Sequence, residues 1–417
     1  MLIMEMHRVK KNKESDDMAE FIQLHLLVSY PPSNLNRDDL GRPKTAIMGG
    51  TQRLRISSQS LKRAWRTSDI FTRHIRDHMG IRTREMGAKV KDALINGLPL
   101  KELLDGKTTG DPKNVTGIPE ENAQSWALTI ASVFVDKHPK KLSKKIKTSG
   151  TEEPDDETRD THEKKSNVDR KTLKGEQLVF YSNDEIAAIQ TLVTTLIKEK
   201  REPKTDELSS LLRDDLSSVD VAMFGRMLAN ATRYNVEAAV QVAHAVTVHE
   251  VAVEDDYFTA VDDLNKGTDD AGAGHLGEME FASGLFYEYV CINKTLLEEN
   301  LGGDKKTDRR YLAAAAIRAL VESAVTVAPT GKQNSFASRA YASYLLVEKG
   351  SRQPRSLSVA YLEALREKNL LEAAITALQD TRKKMDDVYG KCSDNEYEIN
   401  ACAGTGKLSD LLLFVAG

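Results

Sequence analysis

The chain has 417 residues, 40% of them apolar and 29% charged, and a formal net charge of −4, so it can bury two or three cores and is too polar for a membrane protein. Its three cysteines, Cys291, Cys392 and Cys402, show no paired spacing that would suggest a disulfide framework or a zinc cluster, which fits a reducing cytoplasm. The opening "MLIMEMHRVKKNKESDD" turns to charge too early for a signal peptide and reads as a loose tail, and the most apolar run, "YLAAAAIRALVESAVTVA", is broken by Arg318 and Glu322.

The first element is a strand. In "FIQLHLLVSY", Ile22, Leu24, Leu26 and Val28 alternate with Gln23, His25 and Leu27, the period of a half-buried strand over 21–30. "YPPSNLNRDDLGRPK" is a loop by its turn chemistry. In "RLRIS", Arg53, Arg55 and Ser57 fall on one face of an extended segment and Leu54 and Ile56 on the other. Ser57 or Ser58 caps a helix beginning near Gln59, with Leu61, Ala64 and Trp65 as its buried stripe and Lys62, Arg63 and Arg66 outside.

Residues 67–136 read as mainly helical, and the charged stretch from 137 to about 176 has too few large apolar residues to offset the entropy of ordering. "DEIAAIQTLVTTLIKEK" is a helix, and "VDVAMFGRM" and "AVQVAHAVTVHEVAV" alternate as strands, with Val240, Val242, Val246 and Val248 on one face. An acidic, glycine-rich excursion follows, then a strand in "LFYEYVCIN", a helix in "TDRRYLAAAAIRALVESAV" capped by Thr307, a last strand in "YASYLLVE", and a mostly helical remainder. This order suits an α+β fold: an antiparallel sheet with helices on one face, of the split βαβ, ferredoxin-like or RNA-recognition-motif kind.

Most chemical motifs fail on context. Gly272 to Gly277 satisfies GxGxxG but follows acids and does not open a helix, while "PTGKQNS" and "GTGKLS" lack the spacing of a phosphate loop. His74 and His78 lie four apart with no third ligand, His244 reads as a core histidine, and Asp38 and Asp39 read as turn acids that could also hold Mg²⁺. No metal or cofactor is expected. The stretch "RLRISSQSLKRAWR" stands apart, with Arg53, Arg55, Lys62, Arg63 and Arg66 and no acid. Lys62 and Arg66 are a like-charge i,i+4 pair that an anion would neutralise, and Ser57 and Gln59 add donors near a helix N-terminus. With Arg37 and Lys44 before them the cations form a track, suited to a polyanion. Tyr257 and Phe258 follow three acids in a segment too polar to bury them, so they either stack on bases or anchor a hairpin to its own domain.

"SNLNRDDLGRPKTAIMGGTQRLRISSQSLKRAWR", "HAVTVHEVAVEDDYFTAVDDL", "GHLGEMEFASGLFYEYVCIN" and "LEENLGG" resemble the CasC backbone subunits of type I-E CRISPR Cascade complexes, over most of residues 20–350. The resemblance implies a non-enzymatic protein shaped like a right hand: an RRM-like palm over 20–66, 216–251 and 284–417, a helical fingers insertion over 67–215 and a hairpin thumb over 252–283, to which composition adds a flexible tail over 1–19 and a charged loop at 140–176 within the fingers. It implies several copies polymerising along the spacer of a CRISPR RNA that pairs with target DNA in antiviral defence, together with other Cascade subunits. Arg37, Lys44, Ser57, Gln59, Lys62, Arg63 and Arg66 match palm residues that hold the guide, Met227 in "GRM" matches one that packs on guide bases, and the Tyr257–Phe258 hairpin matches the thumb. The N-terminal tail and the charged insertion depart from the family pattern. The alternatives are a metal-dependent ribonuclease using Asp38 or Asp39 and a free-standing single-strand RNA-binding protein.

Overall fold

A computed structural model describes residues 19–106, 115–135, 173–175, 177–213, 217–228, 231–260, 275–302 and 306–417. All but the last residue of the expected N-terminal tail, nearly all of the charged loop at 140–176 and the 261–274 tip of the thumb lie outside them. In chain order the strands are β1 (Phe21–Ser33), β2 (Thr45–Met48), β3 (Thr51–Ile56), β4 (Ile81–Thr83), β5 (Val179–Tyr181), β6 (Val240–Val242), β7 (Ala245–Thr247), β8 (Glu254–Ala260), β9 (His275–Asn293), β10 (Ala342–Gly350) and β11 (Asn395–Asn400). The main helices are α1 (Ser58–Arg66), α2 (Asp69–Ile75), α3 (Met86–Asn96), α4 (Glu120–Ser132), α5 (Asn183–Glu199), α6 (Val219–Phe224), α7 (Lys306–Thr326), α8 (Leu370–Tyr389) and α9 (Leu408–Ala416). Among the described residues no helix is long and apolar enough to cross a membrane.

The chain divides into two units. The first comprises Met1–Arg76, Ala239–Glu299 and Arg310–Gly417. It is built on a large sheet in the order β11-β10-β1-β9-β7-β3-β2, antiparallel at each of these pairings, with β6 and β8 also joined to β9. The chain is therefore mixed α and β with a large antiparallel sheet. β1 lies between β9 and β10, pairing Leu24 with Val290 on one side and Val347 on the other.

Alternation in β1 does not leave a wet face. Gln23 and His25 are as buried as Leu24 and Leu26, because α8 and the segment before it cover the second face with Leu357, Tyr361, Ala374 and Leu378 against Leu27 and Leu346. The sequence reading of β1 as half-buried is corrected accordingly. Beneath α8, His25 Nε2 lies 3.2 Å from Glu348 and its Nδ1 2.9 Å from the Tyr287 hydroxyl, while Arg355 and Arg382 each donate to Glu348 at 2.8 Å. Burial works against a charged Glu348, yet the hydrogen bonds from His25 and Arg355 hold its carboxyl well below the ordinary range. Burial lowers the His25 pKa, so a neutral ring donates to a carboxylate already paired with arginine.

Glu288 in β9 has no such partner cation among the described residues. It is 1% exposed and accepts one hydrogen bond, from the Tyr30 hydroxyl at 3.4 Å; burial pushes its carboxyl up to about 8 despite the lowering effect of that bond. The folded chain thus holds this proton to higher pH than the unfolded chain does. Its cost to stability is absent below the ordinary value of 4.5 and accumulates as pH rises towards about 8. Glu288→Gln is expected to stabilise the protein at pH 8 by about 2–4 kcal/mol and to leave it little changed at pH 5. Denaturant unfolding at the two pH values checks this, and an equal effect at both would contradict it.

Three more sequence expectations are corrected. "VDVAMFGRM" is not a strand: Val219–Phe224 is α6, with Val219, Val221, Ala222 and Met223 all buried, a short apolar run whose type periodicity cannot decide. "YASYLLVE" is not the last strand, since β11 pairs outside β10 with Val347 opposite Tyr397. α7 begins at Lys306, so Thr307 lies within it and does not precede it.

The second unit, Asp77–Ala238 with Asn300–Arg309, packs α3, α4 and α5 around Val90, Leu94, Ile130, Ile189 and Val193, beside the two-stranded ladder β4–β5. Ser182 and Glu185 form a capping box at the start of α5.

Candidate nucleic-acid interface

The cationic stretch folds as a hairpin followed by a helix. Met48 pairs with Thr51 across Gly49 and Gly50, both at positive φ, which gives the two-residue turn that matches strand twist. A Cβ on Gly49 would meet the Leu362 carbonyl oxygen at 1.6 Å, so this turn lies hard against the loop at 361–362. α1 then starts at Ser58, its N-cap Ser57 accepting from the Ser60 N–H at 3.3 Å, and buries Leu61, Ala64 and Trp65. Asn36 ties the preceding loop to this cap: its side-chain oxygen accepts from the Ser57 N–H at 2.8 Å and its carbonyl from the Lys44 N–H at 2.8 Å.

This arrangement sorts the expected site residues. Arg37, Gln59 and Arg63 are exposed, and Lys44, Arg55, Lys62 and Arg66 are half-buried. Burial holds the Lys62 ammonium below its ordinary pKa, so a charge on it favours company from an anion. Ser57 is buried, with its hydroxyl oxygen engaged as the cap. Arg53 is a correction. It does not share an open face with Arg55, because the loop at 361–362 covers it: it is 0% exposed and donates to Thr51 Oγ1 at 2.8 Å, to the Thr247 carbonyl at 2.8 Å and to the Tyr361 carbonyl at 3.2 Å. A guanidinium committed to backbone carbonyls in the interior cannot meet a polyanion.

An open cleft of about 700 Å³ runs along this surface, lined by Arg37, Asp38, Asp39, Ser60, Arg63 and Lys332, among others. Three chain segments meet there: the loop after β1, the outer face of α1 and the loop after α7. Lys332 belongs to the "PTGKQNS" segment, which lacks phosphate-loop spacing, and is a cation of this surface that sequence pattern does not reveal. Its φ is +50°, and a Cβ on Gly331 would meet the Leu35 carbonyl oxygen at 2.1 Å, so a tight approach of two loops places this lysine. Asp38 serves its turn as expected, its Oδ1 accepting from the Leu40 and Arg42 N–H groups at 2.9 Å each. Among the described residues no group of three His, Cys, Asp or Glu could hold a metal.

His244 is a second correction. The strand reading placed it in the core, but the chain breaks between β6 and β7 at Ala243 and His244, and the phase flips. Ala245 and Thr247 are buried, Val246 is only half-buried, and His244 is exposed with its Nδ1 2.9 Å from Arg55 Nη1. His74 and His78 do not act together either: His74 meets Glu322 at 3.1 Å and His78 the Ser217 carbonyl at 3.3 Å.

In the hairpin β8–β9, Tyr257 pairs with Glu278 and Phe258 with Gly277. Tyr257 is 66% exposed and Phe258 39%. A Cβ on Gly277 would lie 2.3 Å from the Phe258 ring, so the missing side chain makes room for the ring to lie on the opposite strand. The two aromatics thus differ: one face of Phe258 is covered by its own hairpin. In the second unit Met227 is 83% exposed. It follows Arg226, whose guanidinium is buried against Glu185 at 2.8 Å and donates to the Tyr234 carbonyl, so the residue before the methionine is fixed while the methionine itself faces solvent.

Comparison with known proteins gives a consistent answer. The CT1975-like protein family of Cas proteins matches residues 22–409. A solved chain described as "CRISPR RNA-guided surveillance complex, pre-nicking" is 26% identical, with a TM-score of 0.70 over 95% of this chain and 99% of that one. Another, "CRISPR RNA-guided surveillance complex", is 21% identical with a TM-score of 0.52 over 95% and 98%, and bears on the fold alone. No curated protein matches the chain.

Proposed function

The chain belongs to the CT1975-like protein family, and on that premise we propose that it is a guide-RNA-binding backbone subunit of a Cascade-type surveillance complex, of type I-E, with several copies lining up along the spacer of one CRISPR RNA. The sheet unit is its RRM-like palm, the second unit its fingers and β8–β9 its thumb, and it is not an enzyme. The observation that carries this reading is the gathering of Arg37, Arg63 and Lys332 from three segments around one open cleft, next to Lys62 and Arg66. Phosphates carry no sequence information, so a subunit that grips them accepts any spacer and leaves the base edges for target DNA. The acidic remainder of the surface limits indiscriminate binding.

The test is assembly. Purified protein mixed with CRISPR RNAs of increasing spacer length is expected to form complexes whose mass rises in whole-subunit steps. One subunit per RNA at every length would leave a free-standing RNA-binding protein, and loss of intact RNA in Mg²⁺ would point to a nuclease.

The thumb carries a separate expectation. Glu254, Asp255 and Asp256 repel phosphate, so the hairpin's contact with RNA is through ring faces. Phe258→Ala and Tyr257→Ala are each expected to lose stacking of roughly 1–3 kcal/mol per site while leaving the salt slope nearly unchanged. The defect is larger on a full-length guide than on an oligonucleotide holding one subunit; equal losses on both would favour aromatics that merely brace the hairpin.

A further inference from the structure

We propose that His244 is a phosphate-contacting residue of this interface, presenting an Nε2–H donor beside Lys44 and Arg55, so that binding of guide RNA takes up a proton. The inference rests on the RNA-binding reading of the same surface. Arg55 Nη1 lies 2.9 Å from His244 Nδ1. A guanidinium can only donate, so Nδ1 must accept, and the neutral ring therefore carries its proton on Nε2. Arg55 fixes the tautomer, and the exposed position of the residue leaves Nε2–H as the ring's remaining donor.

The charged groups that act on the ring are Arg55 of β3 and Lys44 of the loop before β2; among the described residues no carboxylate does. Partial burial, then Arg55, then Lys44, hold its pKa below the ordinary 6.5, so the unliganded ring is neutral at pH 7. Two half-buried cations beside a neutral histidine form a pocket of positive potential with a donor in it. A phosphate placed there offsets the repulsion that keeps the second proton off. When Nδ1 is protonated it can no longer accept from Arg55, whose Nη1–H then turns to the phosphate as well. The bound pKa lies above the unliganded one. The added affinity is fully present below the unliganded value and is lost as pH rises through the bound value.

Two substitutions separate contact from positioning. In His244→Asn the amide oxygen sits near Nδ1 and keeps an acceptor for Arg55, but the donor at the Nε2 position and the titration are both gone. His244→Gln puts an amide N–H near Nε2 and keeps a donor without titration. Calorimetry with a guide-length RNA at pH 6.5, in two buffers of different ionisation enthalpy, is expected to show net proton uptake for the wild type and none for either variant. Wild-type affinity is expected to rise about threefold to tenfold from pH 7.5 to 6, with a flat profile for both variants and weaker binding for His244→Asn than for His244→Gln. Thermal melts confirm that each variant folds. Wild-type binding without proton uptake, or a His244→Asn protein matching the wild type in affinity and pH profile, would overturn the inference and leave the RNA-binding reading standing. A wild type that binds no RNA at any pH would overturn that reading, and this inference with it.

Discussion

Replacing Arg53 with alanine is expected to destabilise the protein by about 3–5 kcal/mol while removing no contact to RNA. The guanidinium is fully buried and satisfies the carbonyls of Thr247 and Tyr361 together with the Thr51 hydroxyl, tying β3 to β7 and to the 361–362 loop. Truncation leaves buried acceptors without donors, each costing about 1–3 kcal/mol, and a cavity besides. Arg53→Lys recovers little, because one ammonium cannot reach three acceptors held in a fork. The exposed Arg63 is the contrast: Arg63→Ala should leave the unfolding midpoint within about 0.5 kcal/mol of wild type. Denaturant unfolding of the two alanine variants decides the matter, and a stable Arg53→Ala protein with weakened RNA binding would return Arg53 to the interface.

The combined change of Lys62, Arg63 and Arg66 to alanine is expected to have the largest effect on binding. These side chains project from one nine-residue helix with no acid in its first turn. If each neutralises one phosphate of a single strand, the slope of log K against log salt falls by about 0.7 per residue, roughly 2 in all, and affinity near physiological salt drops by about two orders of magnitude. Arg63 and Arg66 also sit in the last turn of α1, where a cation is favoured by the helix dipole, so a small loss of stability accompanies the change. The loss in affinity should be the same for every guide sequence. A loss confined to some guides, or an unchanged slope, would show that the helix serves another partner.

α1 was legible because its information is local: a serine cap, a three-residue buried stripe and cations on the outer face lie within ten residues. The fate of Arg53 was not, since the loop that covers it lies some three hundred positions away and alternation alone gave it the same face as Arg55. His244 was misplaced for a related reason, as two residues between β6 and β7 break the strand and reverse which side chains are buried. β1 read as half-buried because Gln23 and His25 are polar, yet each has a hydrogen-bond partner from a distant element: Tyr289 and the Arg355 N–H for Gln23, the buried Glu348 for His25. Lys332 shows the opposite error, in which a correct rejection of a phosphate-loop motif discarded a cation that tertiary contacts carry into the cleft. Sequence pattern reports faces and local caps, whereas burial imposed by remote chain decides which charges remain available.

The most direct test of the central claim is a salt titration of the wild-type protein on several guide RNAs of equal length and unrelated sequence. If the interface grips phosphate, log K falls linearly with log salt, with the same slope and nearly the same intercept for every guide, and the slope steepens in proportion when the spacer is lengthened to admit further copies. Slopes that differ between sequences, or an affinity insensitive to salt, would contradict it.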